Sequence, residues 1–583
     1  MILAMTAMVV MGERDFREEV SFHINSIEHA LTEARPRGWR RAKQSELEIL
    51  PLSLRASVAW RVDFPKSEVN HSVVDHVFVA IDRDFPFSEP RVIAPQAAPS
   101  KAAQWPHVEA FGSLCLTNTR FSAPSGVRVL TKLQDALDLL DFDSRKVEAE
   151  FRREFLSYWS QGVLSGTPIG WSLITPQVED RDIVFCTGRA GQILFADNEL
   201  RLVEWMKNAG ISGKSVYTTR LTWPKQILLP DQFPKLGRDV VRLVGRDNIG
   251  RHFRAGCALP LVLGFILDGS PIYAATIIKG ASEKFLKKGF RPCSPRPARL
   301  VVLTCLDRVA SPMSIQRMDA QWVHGRDVNP HLTHLSGRSV TIIGCGAIGG
   351  YLARGLAQAG VGKLSLIDPD ELKPGNLGRH VLGGEWIGCA KVKALSAQIK
   401  RDFPHIMDVS EHRSEFQTLE ECELSEISKS DLIVLAGVDV AAELAVDRWV
   451  ATLEEPPPRV WTWIEEFALS GHAIAFLGTE RIADELDEDG VYLRRSTCGW
   501  KSTDVRVDER GCGVSFQPYD AVDMMSTVVM AQRLITDVLL AKISESARRA
   551  WFGNRDSVIE YGGEPADSFN RSFCEVSEPL SDG

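Results

Sequence analysis

No two cysteines in this sequence are spaced as CxxC, no apolar run approaches the length of a membrane-crossing helix, and no tract is repetitive or compositionally simple. Without paired CxxC spacing, the structural zinc that such pairs hold is not expected. Eleven cysteines, an odd number scattered over 583 residues, do not read as a disulfide framework, so a reducing, cytoplasmic setting is expected. Positive charge is in deficit too. Lys and Arg total 68 against 76 Asp and Glu, a net charge of -8 with a pI near 6.0, which argues against nucleic acid as the main partner. The apolar stretch from Met1 to Met11 has no basic residue ahead of it and is too short to span a bilayer, and Met11 would serve equally well as a start.

What remains is an ordinary folded composition, 44% hydrophobic and 25% charged, in a chain too long for one core. Its most informative stretch runs from Ser339 to Lys391. The β-branched run Val340 to Ile343 reads as a buried strand and passes at once into Gly344-Cys345-Gly346-Ala347-Ile348-Gly349. Gly344, Gly346 and Gly349 permit a tight turn and a close backbone approach, so that a phosphate can sit on the free N–H groups of the following helix. A second strand, Lys363 to Ile367, delivers Asp368 at the distance where a carboxylate takes a ribose hydroxyl. An NAD dehydrogenase would explain the pattern this far. Beyond it, Asn376, Arg379 and Lys391 add an amide and two cations, of little use to nicotinamide but suited to a triphosphate that must release pyrophosphate. Asp431 to Ala436 reads as another buried strand ending near Asp439, well placed for Mg²⁺.

In this order, Asp368, Asn376, Arg379, Lys391 and Asp439 after GxGxxG resemble the ATP site of the ubiquitin-activating superfamily, which includes the bacterial ThiF-type sulfur-carrier adenylyltransferases. The resemblance covers about residues 325–545. It implies Mg·ATP-dependent adenylation of a C-terminal carboxylate on a partner protein, across a homodimer in which the mate often supplies an arginine. Arg326 is the candidate for that arginine, with Arg317 behind it.

Towards the N-terminus, Phe16, Val20, Ile24, Ile27 and Leu31 have helical spacing, and strands are expected at Glu46 to Leu50, Leu54 to Asp63 and Ser72 to Asp82. Prolines 86 and 90 in Phe85-Pro86-Phe87-Ser88-Glu89-Pro90 then stop regular pairing. Next come Trp105-Pro106-His107 and Gly112-Ser113-Leu114-Cys115-Leu116, and Val127 to Trp159 reads as helices. Residues 13–160 thus resemble a ubiquitin-conjugating enzyme, which implies that Cys115 carries an acyl group as a thioester. His107 stands where that family has an asparagine. An imidazole there can donate to the oxyanion, accept a proton from an incoming lysine, or pack the loop.

Gly162 to Pro168 reads as a linker. Residues 169–312 show strands at Ile183 to Cys186, Ile193 to Ala196, Leu259 to Leu267, Ile272 to Ile278 and Leu300 to Leu306, a helix at Asn198 to Ala209, and no chemical constellation; a spacer role is expected ahead of a substrate-docking one. Past Asp439, Cys512 precedes an apolar helix from about Asp520 to Ile543. The activating-enzyme resemblance gives Cys512 the role of capturing the adenylated carboxylate, with Cys498 as the alternative. A strand is expected at Ser557 to Tyr561, followed by a polar end.

The expected fold class is multidomain α/β: an α+β ubiquitin-conjugating-like domain (1–162), an α+β linker domain (163–312) and a Rossmann-like ThiF adenylation domain (313–583). Content and order resemble the fused conjugating and activating enzymes of bacterial cyclic-oligonucleotide antiphage systems. That resemblance implies adenylation of the C-terminus of a cGAS/DncV-like nucleotidyltransferase, a thioester passed from Cys512 to Cys115, and ligation to target lysines. Conjugation of a true ubiquitin-like protein, sulfur-carrier adenylation and a non-enzymatic nucleotide-binding scaffold are the alternatives.

Overall fold

The computed structural model describes residues 13–34, 38–48, 50, 56–64, 74–98, 105–213, 215–252, 257–280, 302–329, 334–406, 408–501, 507–508, 515–516, 518–519 and 521–580. They fall into two compact units, one formed by 1–161 with 226–233 and the other by 162–225 with 234–583.

In the first unit, helix α1 (Glu13–Ala34) leads into an antiparallel meander of β1 (Trp39–Arg41), β2 (Ala56–Asp63), β3 (His76–Asp82) and β4 (Arg91–Ile93), paired in that order. Alternation along β3 covers both faces of the sheet. Val77, Val79 and Ile81 join Ile27, Leu31, Trp60 and Val62 in the main core, while Phe78 and Ala80 pack with Leu50, Ala59 and Ile93 on the other side. Helices α2 (Ser125–Leu140), α3 (Ser144–Arg153) and α4 (Phe155–Gln161) follow. Leu133, Leu137 and Leu140 of α2 are buried in the main core, and α1 crosses α2 so closely that a Cβ on Gly126 would lie 2.6 Å from the Ser26 carbonyl oxygen. The return segment 226–233 ends at Phe233, edge-on to Phe155 and Trp159 with ring centroids 5.6 and 5.0 Å away. The expected strand at Glu46 to Leu50 does not form. Gln44–Leu47 is one helical turn, because the Glu46 carboxylate accepts from the Lys43 N–H (2.8 Å) and pairs with the Arg40 guanidinium (2.7 and 2.6 Å), closing the chain on itself.

The second unit contains a closed barrel of β5 (Gly170–Ser172), β6 (Arg181–Thr187), β7 (Ile193–Ala196), β8 (Tyr217–Thr222), β9 (Ala258–Leu267), β10 (Ser270–Lys279) and β11 (Ala310–Arg317), ordered β10-β11-β5-β7-β6-β8-β9. Closure leaves these strands no free edge. Helix α5 (Glu199–Asn208) lies between β7 and β8, and α6 (Gly237–Val244) with α7 (Arg246–His252) lies between β8 and β9. The strand expected at Leu300 to Leu306 is replaced over its described part by the end of a helix and the turns after it, with the Cys305 N–H on the Val302 carbonyl (2.9 Å). The barrel strand forms later, at β11.

After helix α8 (Ala320–Gly325) comes an eight-stranded sheet. Its strands are β12 (Ser339–Ile343), β13 (Lys363–Ile367), β14 (Asp408–His412), β15 (Leu432–Ala436), β16 (Arg459–Ile464), β17 (Ser470–Phe476), β21 (Ala547–Phe552) and β23 (Cys574–Pro579). The order β14-β13-β12-β15-β16-β17-β21-β23 is parallel through β16 and antiparallel beyond it. The two-residue strands between β17 and β23 are β18 (Thr497–Cys498), β19 (Val507–Asp508), β20 (Ser515–Phe516) and β22 (Glu564–Pro565). Helices α9 (Ala347–Ala359), α10 (Lys391–Asp402), α11 (Glu421–Ile427), α12 (Val440–Val450) and α13 (Ala521–Leu539) complete the layers. Leu352 and Leu356 of α9, Leu395 of α10, and Val528, Leu534 and Ile535 of α13 are buried in one core with Val340, Ile342, Leu364 and Val434. The mixed α/β expectation is borne out.

The C-terminal expectation is not. Ser557 to Tyr561 is no strand: Arg555–Glu560 is helix α14, capped by Asn554, whose side chain accepts from the Asp556 N–H. The polar end beyond it supplies β23, paired along β21 as the sheet's last strand. Leu352→Ala should cost about 3 kcal/mol, within the usual range for a large-to-small change in a core. Denaturant unfolding followed by tryptophan fluorescence would show it as a lower midpoint for the second unit.

Candidate active sites

β12 pairs with β13 on one side and β15 on the other, so the chain's direction of travel across the sheet reverses at β12. In an open parallel sheet, ligands bind beyond the strand ends at such a point. A cavity of about 750 Å³ lies there. Gly344, Gly346, Asp368, Lys391 and Asp439 all line it, together with Asp370, Phe416, Gln417, Trp463 and Tyr519. The glycines act differently. Gly344 has φ +87°, and a Cβ on it would meet the Ala436 carbonyl oxygen at 2.7 Å; a Cβ on Gly349 would lie 1.8 Å from the Gly344 carbonyl oxygen. Gly346 caps α9, and its Cβ position has no heavy atom within 4 Å, so the helix N-terminus stays open to the cavity.

Asp368 is buried at the end of β13, where its oxygens accept from the Cys345 N–H (2.7 Å) and the Asp370 N–H (2.8 Å). Lys391, at the start of α10, sets its Nζ 2.7 Å from Asp370 Oδ2 and 3.7 Å from Asp368 Oδ1. Asp439 is the N-cap of α12 and accepts from the Ala442 N–H (2.8 Å). One turn further on, Glu443 is pushed up to about 8 by burial and by the charges of Asp447 and Asp439. Asn376 and Arg379 do not line the cavity. Asn376 closes its own turn through the Lys373 N–H (2.9 Å), and Arg379 lies over the ring of Tyr519 (5.2 Å), which does line it. His380 holds this segment in place, its Nε2 donating to the Cys345 carbonyl (2.8 Å) and its Nδ1 accepting from Leu382 N–H (3.1 Å). Of the two candidate arginines, Arg317 is buried between Asp319 and Asp327 (2.8 and 2.6 Å), whereas Arg326 is exposed at the end of α8.

The donor set fits a nucleotide triphosphate with a divalent cation. An open helix N-terminus and a lysine face the phosphates' chemistry, Asp368 that of a ribose, and Asp439 that of a cation.

Cys115 is exposed in the first unit, just beyond the edge of β4. The Leu114 N–H donates to Val92 (2.9 Å), and the Cys115 N–H to the His107 carbonyl (2.8 Å). Gly112, at φ +82°, lets this segment dock, since a Cβ there would sit 2.1 Å from the Ala94 carbonyl oxygen. His107 itself has φ +57°, held by its N–H on the Tyr158 hydroxyl (2.8 Å). Its ring is taken up by carboxylates, Nε2 3.1 Å from Glu150 and Nδ1 3.0 Å from Glu154. Burial and the charges of Glu109 and Glu154 push the Cys115 thiol up, against Lys132. Burial, joined by Glu154, pushes the Tyr158 phenol up as well. Glu109, Glu150, Glu154 and Tyr158 are absent from the motif reading, because the last three come from α3, α4 and the turn between them, which carry no signature in sequence. Cys512 lies outside the described residues; Cys498, its alternative, is exposed in β18.

Residues 324–502 match the ThiF family and residues 54–163 the prokaryotic E2 family B. The chain is a fusion of ubiquitin-conjugating-like and ThiF-like regions, and an ATP-dependent ubiquitin-activating-like enzyme. Among known proteins it resembles the ATP-dependent ubiquitin transferase-like protein Cap2. It is 25% identical over 413 residues to Cap2 of Pseudomonas aeruginosa (66% of this chain, 71% of the relative) and 24% identical over 235 residues to that of Vibrio cholerae (39% and 40%). The adenylyltransferase and sulfurtransferase MOCS3 of Sus scrofa is 48% identical over 68 residues, 12% of this chain and 15% of that protein. A solved chain of E. coli MccB with AMPCPP and MccA overlaps 43% of this chain and 66% of its own, with 16% identity and a TM-score of 0.30.

Because a nearby negative charge disfavours a thiolate, Glu109→Gln should move the pH profile of Cys115 alkylation by iodoacetamide to lower pH. A shift to higher pH, read by peptide mass spectrometry, would contradict this electrostatic account.

Proposed function

We propose that this enzyme runs a two-cysteine relay in antiphage defence, in the cytoplasm and as a homodimer: it adenylates the C-terminus of a cGAS/DncV-like nucleotidyltransferase and joins it to target lysines. The observation that carries this reading is the coexistence, in one chain, of a cavity at the glycine turn beyond β12 and an exposed cysteine in a conjugating-enzyme setting. Three segments divide the work: 1–162 conjugating, 163–312 linking and 313–583 adenylating, with β11 straddling the last boundary.

In the adenylating segment, Asp368 holds the ribose, the N-terminus of α9 and Lys391 hold the phosphates, and Arg379 and Asn376 close over them. Asp439 would hold Mg²⁺, whose charge would offset that developing on the departing pyrophosphate. A carboxylate oxygen of the partner's C-terminus attacks the α-phosphorus and the bond to pyrophosphate breaks. The Cys512 thiolate then attacks the acyl carbon and AMP leaves. Exchange with the Cys115 thiolate moves the acyl group and frees Cys512, and a lysine amine finally displaces Cys115, its proton passing to a nearby base. Tethering both steps in one chain raises their effective concentration, so no free carrier is needed. Conjugation of a true ubiquitin-like protein is the second reading, favoured by the same cavity and the same exposed Cys115.

Lys391→Ala should weaken ATP binding roughly tenfold or more, the scale of one lost charge-assisted hydrogen bond, as measured by titration calorimetry. The relay itself is tested by intact-protein mass spectrometry after incubation with Mg·ATP and the nucleotidyltransferase. Cys512→Ala should abolish every reducible adduct while leaving ATP–pyrophosphate exchange, and Cys115→Ala should leave an adduct on Cys512 but no conjugate. An adduct that forms only with a ubiquitin-like protein would replace the substrate and keep the chemistry.

A further inference from the structure

The carboxylate of Glu465, only 5% exposed, is the hub of a buried polar network just after β16. Its Oε1 accepts from the Ser496 N–H (2.7 Å) and faces His472 Nε2 (2.7 Å), and its Oε2 accepts from the N–H (2.8 Å) and the hydroxyl (2.5 Å) of Thr497. The Thr497 hydroxyl in turn accepts from Trp500 Nε1 (3.0 Å). Burial works to raise this carboxyl's pKa, but His472, Thr497 and Ser496 together hold it below the ordinary value. A buried carboxylate satisfied this fully fixes whatever donates to it.

What it fixes are two parts of the second unit with different tasks. Trp463 and Ile464, the residues just before Glu465, line the cavity. Trp463 also stacks on His472 (centroids 5.2 Å, planes 27° apart) and stands edge-on to Tyr492 (4.8 Å). The donors on the other side, Ser496 and Thr497, open the stretch of sequence that leads through Cys498 to Cys512. A second tie holds the same stretch, since Arg495 pairs with Glu466.

We propose that Glu465 is a positioning residue: by fixing Ser496 to Trp500 against the cavity wall, it governs acyl transfer to Cys512 and not formation of the adenylate. This rests on the relay reading above. Such control needs no contact with the reacting atoms, because a small misplacement of the segment that presents a nucleophile is enough to slow its attack.

The test uses the full-length chain with Mg·ATP and the nucleotidyltransferase as probe, following ATP–pyrophosphate exchange, the Cys512 thioester and amide hydrogen exchange of residues 493–501. In Glu465→Gln, pyrophosphate exchange should stay within about twofold of wild type while thioester formation falls about tenfold to a hundredfold, as for a misplacement of about 1 Å. Ser496 and Thr497 should lose amide protection. His472→Gln keeps a donor towards Glu465 and should retain most of the thioester rate. Thr497→Val removes one hydroxyl and should give a smaller loss in the same direction, which keeps the test open if Glu465→Gln does not fold. Equal losses in pyrophosphate exchange and thioester would overturn the proposal, as would a normal thioester rate despite lost amide protection. Failure of the relay reading is visible in the wild type, as no thioester at all or one on Cys498, and it takes this proposal down with it.

Discussion

The step from β12 into α9 is a backbone constraint on which the rest of the adenylation centre depends. A strand must become a helix between Gly344 and Gly349 while the first N–H groups of that helix stay open to a cavity. Side chains would defeat this at both ends of the turn, against the Ala436 carbonyl at Gly344 and against the Gly344 carbonyl at Gly349. Once the turn is made, the Cys345 N–H points at Asp368 and the Cys345 carbonyl at His380. The end of β13 and the Asn376 to His380 segment therefore take their positions from the turn. Lys391 then supplies positive charge beside the buried Asp368 and the more exposed Asp370.

This dependence explains what could be read from sequence. Gly344, Gly346, Gly349, Asp368 and Asp439 come shortly after the ends of short strands, and strand length and turn geometry place each of them without help from distant residues; Lys391 opens α10. Trp463, Tyr519 and Phe416 reach the same cavity from the end of β16, the stretch ahead of α13 and a turn after β14, so nothing local marks them. The same distinction explains the misreadings. Ser557 to Tyr561 looked like a strand because its apolar residues are few and close together, but Asn554 and Asp556 carried the stronger, capping signal. β23 escaped notice because an edge strand with one solvated face needs little hydrophobicity, and between Cys574 and Pro579 it has one aliphatic residue, Val576, among Glu575, Ser577 and Glu578.

The barrel was the least legible part. Its strands β9 and β10 were found from their apolar runs, yet closure is a property of all seven strands at once, and β5, at three residues, carries no periodic signal. β5 pairs in parallel with β11 and with β7, joining strands far apart in sequence, and contacts of that kind have no local code.

At Cys115 the electrostatics bear on which step of a relay this site favours. A thiol held up by burial and by two glutamates yields little thiolate at neutral pH, but each thiolate it yields is the stronger nucleophile, because intrinsic reactivity rises with pKa. The same shift makes the sulfur a poorer leaving group, which slows loss of an acyl group to any nucleophile, water included. Transfer to an amine then depends on what the neighbours do for the amine. In the proposed relay, Glu109 and Glu154 would attract a lysine ammonium to a thioester on Cys115, and a carboxylate not fully taken up by His107 would receive its proton. On the proposed relay, His107 acts mainly through its backbone and its glutamate partners. Its carbonyl holds the Cys115 N–H, its N–H is tied to Tyr158, and its ring is engaged with Glu150 and Glu154. On that reading the imidazole would hold Glu150 and Glu154, the second of which helps to raise the Cys115 thiol.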